Sequence, residues 1–224
     1  MYKRYTMFIC FFITFQANVM KGRLILFMVL LFSVLSVSAP TGSISGYLFD
    51  EKGLPISGVK VEAWRGGLLV AATYTSSSGY FKLDLTVGTY TLKFIKKGFE
   101  SKTLNVEVHA DEINHLGNIT LNYSVKLSIV TKHVKVNPCS SIVLPAIVKN
   151  VGEYSETFEV TVVTPAGWNS SITYGNMEVR ELTLQPGQQI TLNINLVTGV
   201  VEGVYEVAVI VKGENFNYTI SLII

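Results

Sequence analysis

After residue 43, apolar and polar residues alternate in short runs over most of the chain. Val59, Val61 and Ala63 alternate with Lys60, Glu62 and Trp64, and Phe81, Leu83 and Leu85 with Lys82 and Asp84. A period of two marks a strand with one face buried. Residues that stop a strand sit between the runs. Gly53, Pro55 and Gly58 share one loop, Gly66-Gly67 is a two-residue hairpin signal, and Ser76 to Gly79 and Gly88 mark further turns. The pattern predicts strands over 44–50, 59–65, 68–75, 80–85, 89–96, 102–108 and 116–121, with a loop at 109–115. Seven short strands separated by turn residues imply an antiparallel sandwich.

Residues 122–124 are too few for a flexible linker. Beyond them the alternation starts again, as in Phe158, Val160 and Val162 against Thr157, Glu159 and Thr161. Strands are predicted over 125–131, 141–149, 157–162, 172–174, 179–184, 188–196 and 203–207 and at the C-terminal end, with a crossing at 134–139 that puts Pro138 at an edge. No segment of the mature chain keeps an apolar period of 3.6 for more than two turns. The expected fold class is all-β: two tandem antiparallel β-sandwiches, 41–122 and 123–224, stacked end to end with limited freedom.

Two resemblances refine this. Gly46, Asp50, Gly53, Pro55, Gly58, Val59 and Val61, then Ser78-Gly79-Tyr80-Phe81, the run from Leu85 to Leu92, and Lys97-Gly98-Phe99 resemble the carboxypeptidase regulatory-like domain. That resemblance implies a transthyretin-like sandwich for 41–122. In the second half, Asn150-Val151-Gly152, Pro165-Ala166-Gly167-Trp168, Leu184-Gln185-Pro186-Gly187 and Gly203-Val204-Tyr205 are similar to the immunoglobulin-like module, NPCBM-associated, that accompanies alpha-galactosidases and other secreted glycosidases. The likeness implies an immunoglobulin or fibronectin III-like sandwich for 123–224, and fibronectin III-like modules share parts of the pattern.

Composition changes the picture mainly at the N-terminus. Lys21 and Arg23 precede an apolar run from Leu24 to Val37, and Val37-Ser38-Ala39 follows with small side chains. This is the layout of a secretory signal peptide, although Pro40 at the position after the cut disfavours cleavage there. The alternative is an uncleaved anchor, but the run is shorter than the ~20 residues of a usual spanning helix. The complete layout after Met20 marks Met20 as a candidate true start within the 1–39 segment. Either way the body is expected outside the cytoplasm, secreted or at the cell surface, touching a membrane only if the N-terminal helix is kept. Cys10 and Cys139 lie on opposite sides of the cleavage region, so a mature chain would hold one thiol and no internal disulfide. Net charge is +2 with no basic block in the body, so nothing asks for nucleic acid.

Candidate chemistry is sparse. Histidines occur only at His109, His115 and His133, and aspartates only at Asp50, Asp84 and Asp111. The segment from His109 to His115 is the one cluster of metal-ligand types, but it lacks the helical spacing of a zinc motif. In Gly42-Ser43-Ile44-Ser45-Gly46, Ile44 stands where a nucleophile elbow needs serine. Scattered aspartates leave no calcium loop, and exposed glutamates no carboxylate pair in a cleft. No catalytic residue, metal ligand or cofactor is assigned, and the chain is expected not to be an enzyme.

Binding candidates remain. Trp64, on the outward phase of its strand, with Tyr74 and Tyr80 near in sequence, could stack on sugars or anchor an interface, or Trp64 could cover the end of the sandwich or the seam. Asn118, Asn122, Asn169 and Asn217 head N-x-S/T sequons and are candidate glycosylation sites. The expected function is a non-catalytic extracellular or cell-surface module with a structural or protein-interaction role. The alternative is a carbohydrate-binding accessory to a separate secreted glycosidase or peptidase. The expected partner is accordingly an extracellular protein or a glycan.

Overall fold

The alternating runs become strands because each presents one apolar face. The computed structural model describes residues 39–224; the signal or anchor segment and Cys10 lie outside the described residues. The first seven strands are β1 (Thr41–Phe49), β2 (Lys60–Arg65), β3 (Leu68–Tyr74), β4 (Tyr80–Thr86), β5 (Gly88–Ile95), β6 (Lys102–Val108) and β7 (Ile113–Thr120). They form two sheets, ordered β4-β1-β7 and β3-β2-β5-β6. Ile44, Leu48, Phe81 and Leu83 face Val61, Leu92 and Phe94 across the core, with Phe81 and Phe94 edge to face at 5.6 Å. Gly66 and Gly67, at φ 57° and 79°, make the tight β2–β3 turn that their lack of a side chain permits.

The next nine strands are β8 (Val125–Ile129), β9 (Ser141–Asn150), β10 (Glu156–Val163), β11 (Asn169–Tyr174), β12 (Met177–Glu178), β13 (Glu181–Leu184), β14 (Gln189–Val197), β15 (Glu206–Gly213) and β16 (Asn217–Ile223). Their sheets are β13-β10-β15-β16 and β12-β11-β14-β9-β8. Phe158, Leu192, Ile194, Val207 and Val209 lie between them. Each such side chain contributes roughly 1.5–3 kcal/mol on burial. The described residues are all-β and contain no helix, as the tandem-sandwich reading requires.

Several details differ from the expected strands. The strand expected at 203–207 runs instead over Glu206–Gly213, because Gly203 to Tyr205 lie outside the ladder with Val204 exposed. β1 and β7 pair in parallel, so the first sandwich is not wholly antiparallel. β7 starts at Ile113, which puts Asn114 and His115 in the strand and not in a loop; Asp111, at φ 58°, turns the chain early, and Ser43 N–H donates to the Glu112 carbonyl at 2.8 Å. Residues 134–139 form no strand; Val134 N–H instead donates to the Ile223 carbonyl along the edge of β16.

The two sandwiches meet at Tyr123. This residue is 4% exposed, and its ring lies 5.7 Å from Phe99, 6.1 Å from Phe216 and 6.0 Å from Tyr218, nearly parallel to the last at 9°. Its hydroxyl donates to Asp50 Oδ2 at 2.9 Å, and its N–H to Glu51 Oε1 at 3.1 Å. Glu51 also pairs with Lys126 at 2.8 Å. The buried Glu156 carboxylate accepts Gly98 N–H at 2.6 Å. Gly98 is required here: its φ is 88°, and a Cβ would stand 2.6 Å from Asn215 Cβ. Lys97–Glu214 and Lys93–Glu153, each 2.8 Å, complete the rim, and Lys52 Nζ donates to the Asn217 carbonyl. Burial, with the Asp50 carboxylate beside it, pushes the Tyr123 phenol up, and burial raises that of Tyr218 to about 12. Both rings are therefore neutral donors at any ordinary pH.

Strand direction follows from the seam. β1 and β7 run toward it and end beside it, so the Gly66-Gly67 turn and residues 109–112 lie at the opposite end of the first sandwich. β9 arrives at the seam and β10 leaves it, so the connections after β8, β10 and β14 and the end of β16 gather at the opposite end of the second.

Hydrogen bonds from Lys93 and Lys97 hold Glu153 and Glu214 below the usual carboxylate range. A depressed carboxyl stabilises the fold above its unfolded pKa, about 4.3 for Glu, and loses that contribution as pH falls through the folded value. We therefore expect the seam to loosen below about pH 4, with Tyr123→Ala, which strips a buried ring at a cost of about 3–5 kcal/mol, loosening it already at neutral pH. Hydrogen exchange at Gly98 and Ser124 amides measures this; protection unchanged in both cases would contradict the clamp.

Candidate functional site

The free end of the second sandwich holds an open cleft of about 670 Å³. Trp168, Tyr205, Pro138, Thr198, Glu202 and Val204 are among its walls. Trp168 enters the cleft because Pro165 and Gly167 bend the chain after β10; Trp168 N–H donates to the Pro165 carbonyl at 3.2 Å. Its ring is tilted 60° to that of Tyr205 with centroids 5.3 Å apart. Gly199 forms the floor, where a Cβ would stand 3.0 Å from the indole Cδ1 and Nε1. Tyr205 is fixed by paired backbone bonds with Ile224 and by its hydroxyl, which donates to the Val201 carbonyl at 3.2 Å. Val201 and Val204 line the cleft and are exposed, as is the neighbouring Val200. A half-buried indole beside a phenol can stack on a sugar ring or seat an apolar side chain.

The aromatics singled out in the sequence do not form one site. Trp64 lies on the outer face of the β3-β2-β5-β6 sheet, where its indole N–H donates to Glu62 Oε2 at 3.0 Å. Glu62 also pairs with Lys60 at 2.6 Å, and that hydrogen bond chiefly holds its carboxyl below the usual range. Tyr74 is 63% exposed near the seam end of the same sheet, opposite Lys60. Tyr80 lies on the outer face of the other sheet, 5.2 Å from Tyr47, and Tyr47 in turn is 6.5 Å from Phe49. Sequence nearness of Tyr74 and Tyr80 misled because the β3–β4 turn carries the chain from one sheet to the other.

Ser45 and His115, seventy residues apart, are joined by a hydrogen bond between Oγ and Nδ1 at 2.7 Å. No sequence pattern announces it, since only the parallel β1–β7 register brings them together. It is not a nucleophile and base pair. Ser45 is 1% exposed, and Asp84 accepts from Ser43 at 2.6 Å and pairs with Lys82 at 3.1 Å instead of orienting the imidazole. His109, Asp111 and Glu112 are exposed in the β6–β7 connection. Among the described residues no group of three or more metal-ligating side chains is placed to hold an ion. Nor is any described helix long and apolar enough to cross a membrane. Cys139 is exposed beside the cleft, its N–H donating to the Gly199 carbonyl at 3.0 Å.

The second half's four short motifs meet in two places. Asn150, fully buried, donates to the Tyr154 and Leu184 carbonyls and accepts Gly152 N–H, tying the β9–β10 turn to the Pro186-Gly187 turn. The Trp168 and Tyr205 segments meet in the cleft at the other end.

Comparison with known proteins follows the fold. Two consecutive β-sandwiches define an all-β modular chain, and residues 43–122 match the family model of the carboxypeptidase regulatory-like domain. That match bears out the first of the two resemblances. No curated protein matches the chain. Among solved structures, the major pilin subunit BcpA of Bacillus cereus is similar at 12% identity, covering 82% of this chain and 68% of that one with a TM-score of 0.37. A DUF3823 family protein from Bacteroides ovatus aligns at 17% identity over 83% of this chain and 97% of that one, with a TM-score of 0.33. Likenesses this distant carry no argument about function.

Gly199→Ala should push the Trp168 ring outward, because the indole sits against the missing Cβ, at a cost of about 1–3 kcal/mol for overpacking. Acrylamide quenching of Trp168, read in a Trp64→Phe background, should increase; unchanged quenching would mean that Gly199 does not set the floor of the cleft.

Proposed function

We propose that the chain is a non-catalytic, exported module that holds an interaction cleft at a fixed distance and orientation from its N-terminal end. The observation that carries this reading is the Tyr123 clamp. A buried aromatic cluster bounded by ion pairs makes two sandwiches into one unit, and residues Pro40–Ile224 cluster as a single compact unit. A spacer needs such stiffness; a pair of independent domains does not. The boundaries at 41–122 and 123–224 are part of this proposal, as is a signal peptide or anchor over 1–39. So is the kinship of the second sandwich with the glycosidase-associated immunoglobulin-like module, supported by the meeting of its motif segments around Asn150 and Trp168. The partner on this reading is an extracellular protein.

Stiffness is directly measurable. Spin labels at Cys139 and at an introduced Ala110→Cys, in a Cys10→Ser background, report the distance between the two free ends. A single narrow distance distribution is expected, broadened by Tyr123→Ala. A broad distribution in the parent protein would remove the basis of the spacer reading.

The Trp168–Tyr205 pair favours a second reading, carbohydrate binding in the cleft. Titration of oligosaccharides against Trp168 fluorescence, again in the Trp64→Phe background, should then saturate, and Trp168→Ala should abolish binding. Saturable binding that survives Trp168→Ala would place the sugar elsewhere.

A further inference from the structure

One exposed feature is left unused by the cleft and the seam. On the outer face of the β4-β1-β7 sheet, Tyr80, Tyr47 and Phe49 form a continuous aromatic strip, with Tyr47 40% and Tyr80 37% exposed. β7 borders this strip. Its register sets Asn118 opposite Tyr47, Ile119 opposite Leu48 and Thr120 opposite Phe49. Ile119 and Leu48 point into the core, so Asn118 and Thr120 both point outward, onto the aromatic face. Asn118-Ile119-Thr120 is a complete sequon, and both of its reacting side chains are exposed.

The other three sequons are placed differently. Ser124, the hydroxyl residue of the Asn122 sequon, is fully buried with its Oγ unpartnered. Ser171 of the Asn169 sequon is half-buried and accepts from Asn195 Nδ2 at 3.4 Å. Asn217 and Thr219 are both exposed, but they face Lys212 and Ile210 across the ladder, with no aromatic partner.

We infer that Asn118 carries an N-linked glycan whose first sugar lies over Tyr47 and Tyr80, so that the aromatic strip is covered by the chain's own modification. The reaction is a group transfer from a polyprenyl-diphosphate-linked oligosaccharide, catalysed by an oligosaccharyltransferase. Asn118 Nδ2 forms a bond to the anomeric carbon, the bond from that carbon to the diphosphate oxygen breaks, and the diphosphate leaves with the electron pair. Nδ2 gives up one of its two protons, and nothing is oxidised or reduced. Once attached, the sugar ring presents C–H bonds to the phenol faces, a contact of the kind that holds aromatic platforms to carbohydrates. Neighbouring strands lie about 4.7–4.9 Å apart, and the parallel register sets Asn118 beside Tyr47 on the same face, so a sugar on Asn118 reaches Tyr47.

The inference rests on the export proposed above, and the test separates the two. The full chain is expressed in a host with N-glycosylation machinery, and secreted and retained fractions are analysed by glycopeptide mass spectrometry. The expected result is secreted chain with Asn118 occupied, and loss of that glycopeptide in Thr120→Ala. Retained chain with every sequon empty would overturn export and this inference together. Secreted chain with Asn118 unmodified would overturn this inference alone.

Stacking is tested on the occupied protein. The anomeric proton of the first sugar should move upfield under the ring current of Tyr47, and return toward the random-coil position in Tyr47→Ser. The glycan should raise the melting midpoint by about 2–4 °C in the parent, the shift expected for an interaction of stacking strength in a domain pair of this length, and by less in Tyr47→Ser. An occupied Asn118 with no ring-current shift and equal midpoints in both backgrounds would show that the glycan does not cover the strip. Because Asn118→Gln removes the glycan while leaving β7 intact, a misfolded tyrosine variant cannot obscure the comparison.

Discussion

The fit of one sandwich against the other depends first on the buried ring of Tyr123. Only residues 121–124 connect the sandwiches, and a chain that short could still allow rotation about its bonds. The clamp prevents this by combining two kinds of interaction with different ranges. Stacking of Tyr123 with Phe99, Phe216 and Tyr218 is short-ranged and demands one orientation. The hydroxyl bond to Asp50 and the backbone bond to Glu51 then fix that ring in azimuth. The rim pairs are exposed, and each is worth at most about 1 kcal/mol, so they set register but do not supply the cohesion. The buried rings do that.

The clamp also assigns a physical role to residues that carry the family resemblance. Asp50 closes its own loop by accepting the N–H groups of Lys52 and Leu54 through Oδ1, which leaves Oδ2 free for Tyr123. Gly98 permits the backbone to approach Asn215 and offers its N–H to Glu156. In a regulatory-like domain alone these would be ordinary turn residues; here the same turns face a second sandwich. Glu156 is the costly member. Its carboxyl group is buried, and a buried polar group is tolerated only where hydrogen-bond partners are supplied. The Gly98 amide is such a donor, so the two domains share the satisfaction of one group.

Much of the fold could be read from the sequence because its signal is local. Period-two alternation located most of the strands to within a few residues, although it set β15 at 203–207 and missed the two-residue β12, and Gly66-Gly67 set the β2–β3 hairpin. What failed was pairing. Nothing in the runs at 44–50 and 116–121 says that these strands lie side by side in parallel, since direction is fixed by the route of the chain and not by side-chain period. The same limit hid the Ser45–His115 bond, the Tyr47–Tyr80 pair and the adjacency of Asn118 to Tyr47, all of which depend on register between distant strands. Trp168 was legible as a loop residue, but its meeting with Tyr205 required the closure of β15 against β16.

The two ends of the second sandwich divide their labour. At the seam end, Asn150 satisfies three backbone groups from within the core, which ties the turns of that end together. At the free end, the β14–β15 connection exposes Val200, Val201 and Val204 beside a half-buried indole. A fold gains no stability from apolar side chains left in water, and clustered exposure of this kind marks interaction surfaces in soluble proteins. On the reading proposed above, stiffness at one end and exposed apolar surface at the other are two parts of one device. A flexible seam would leave the cleft free to sample every direction, and each binding event would then carry the entropic cost of fixing it; the aromatic clamp meets that cost in advance, at the moment of folding.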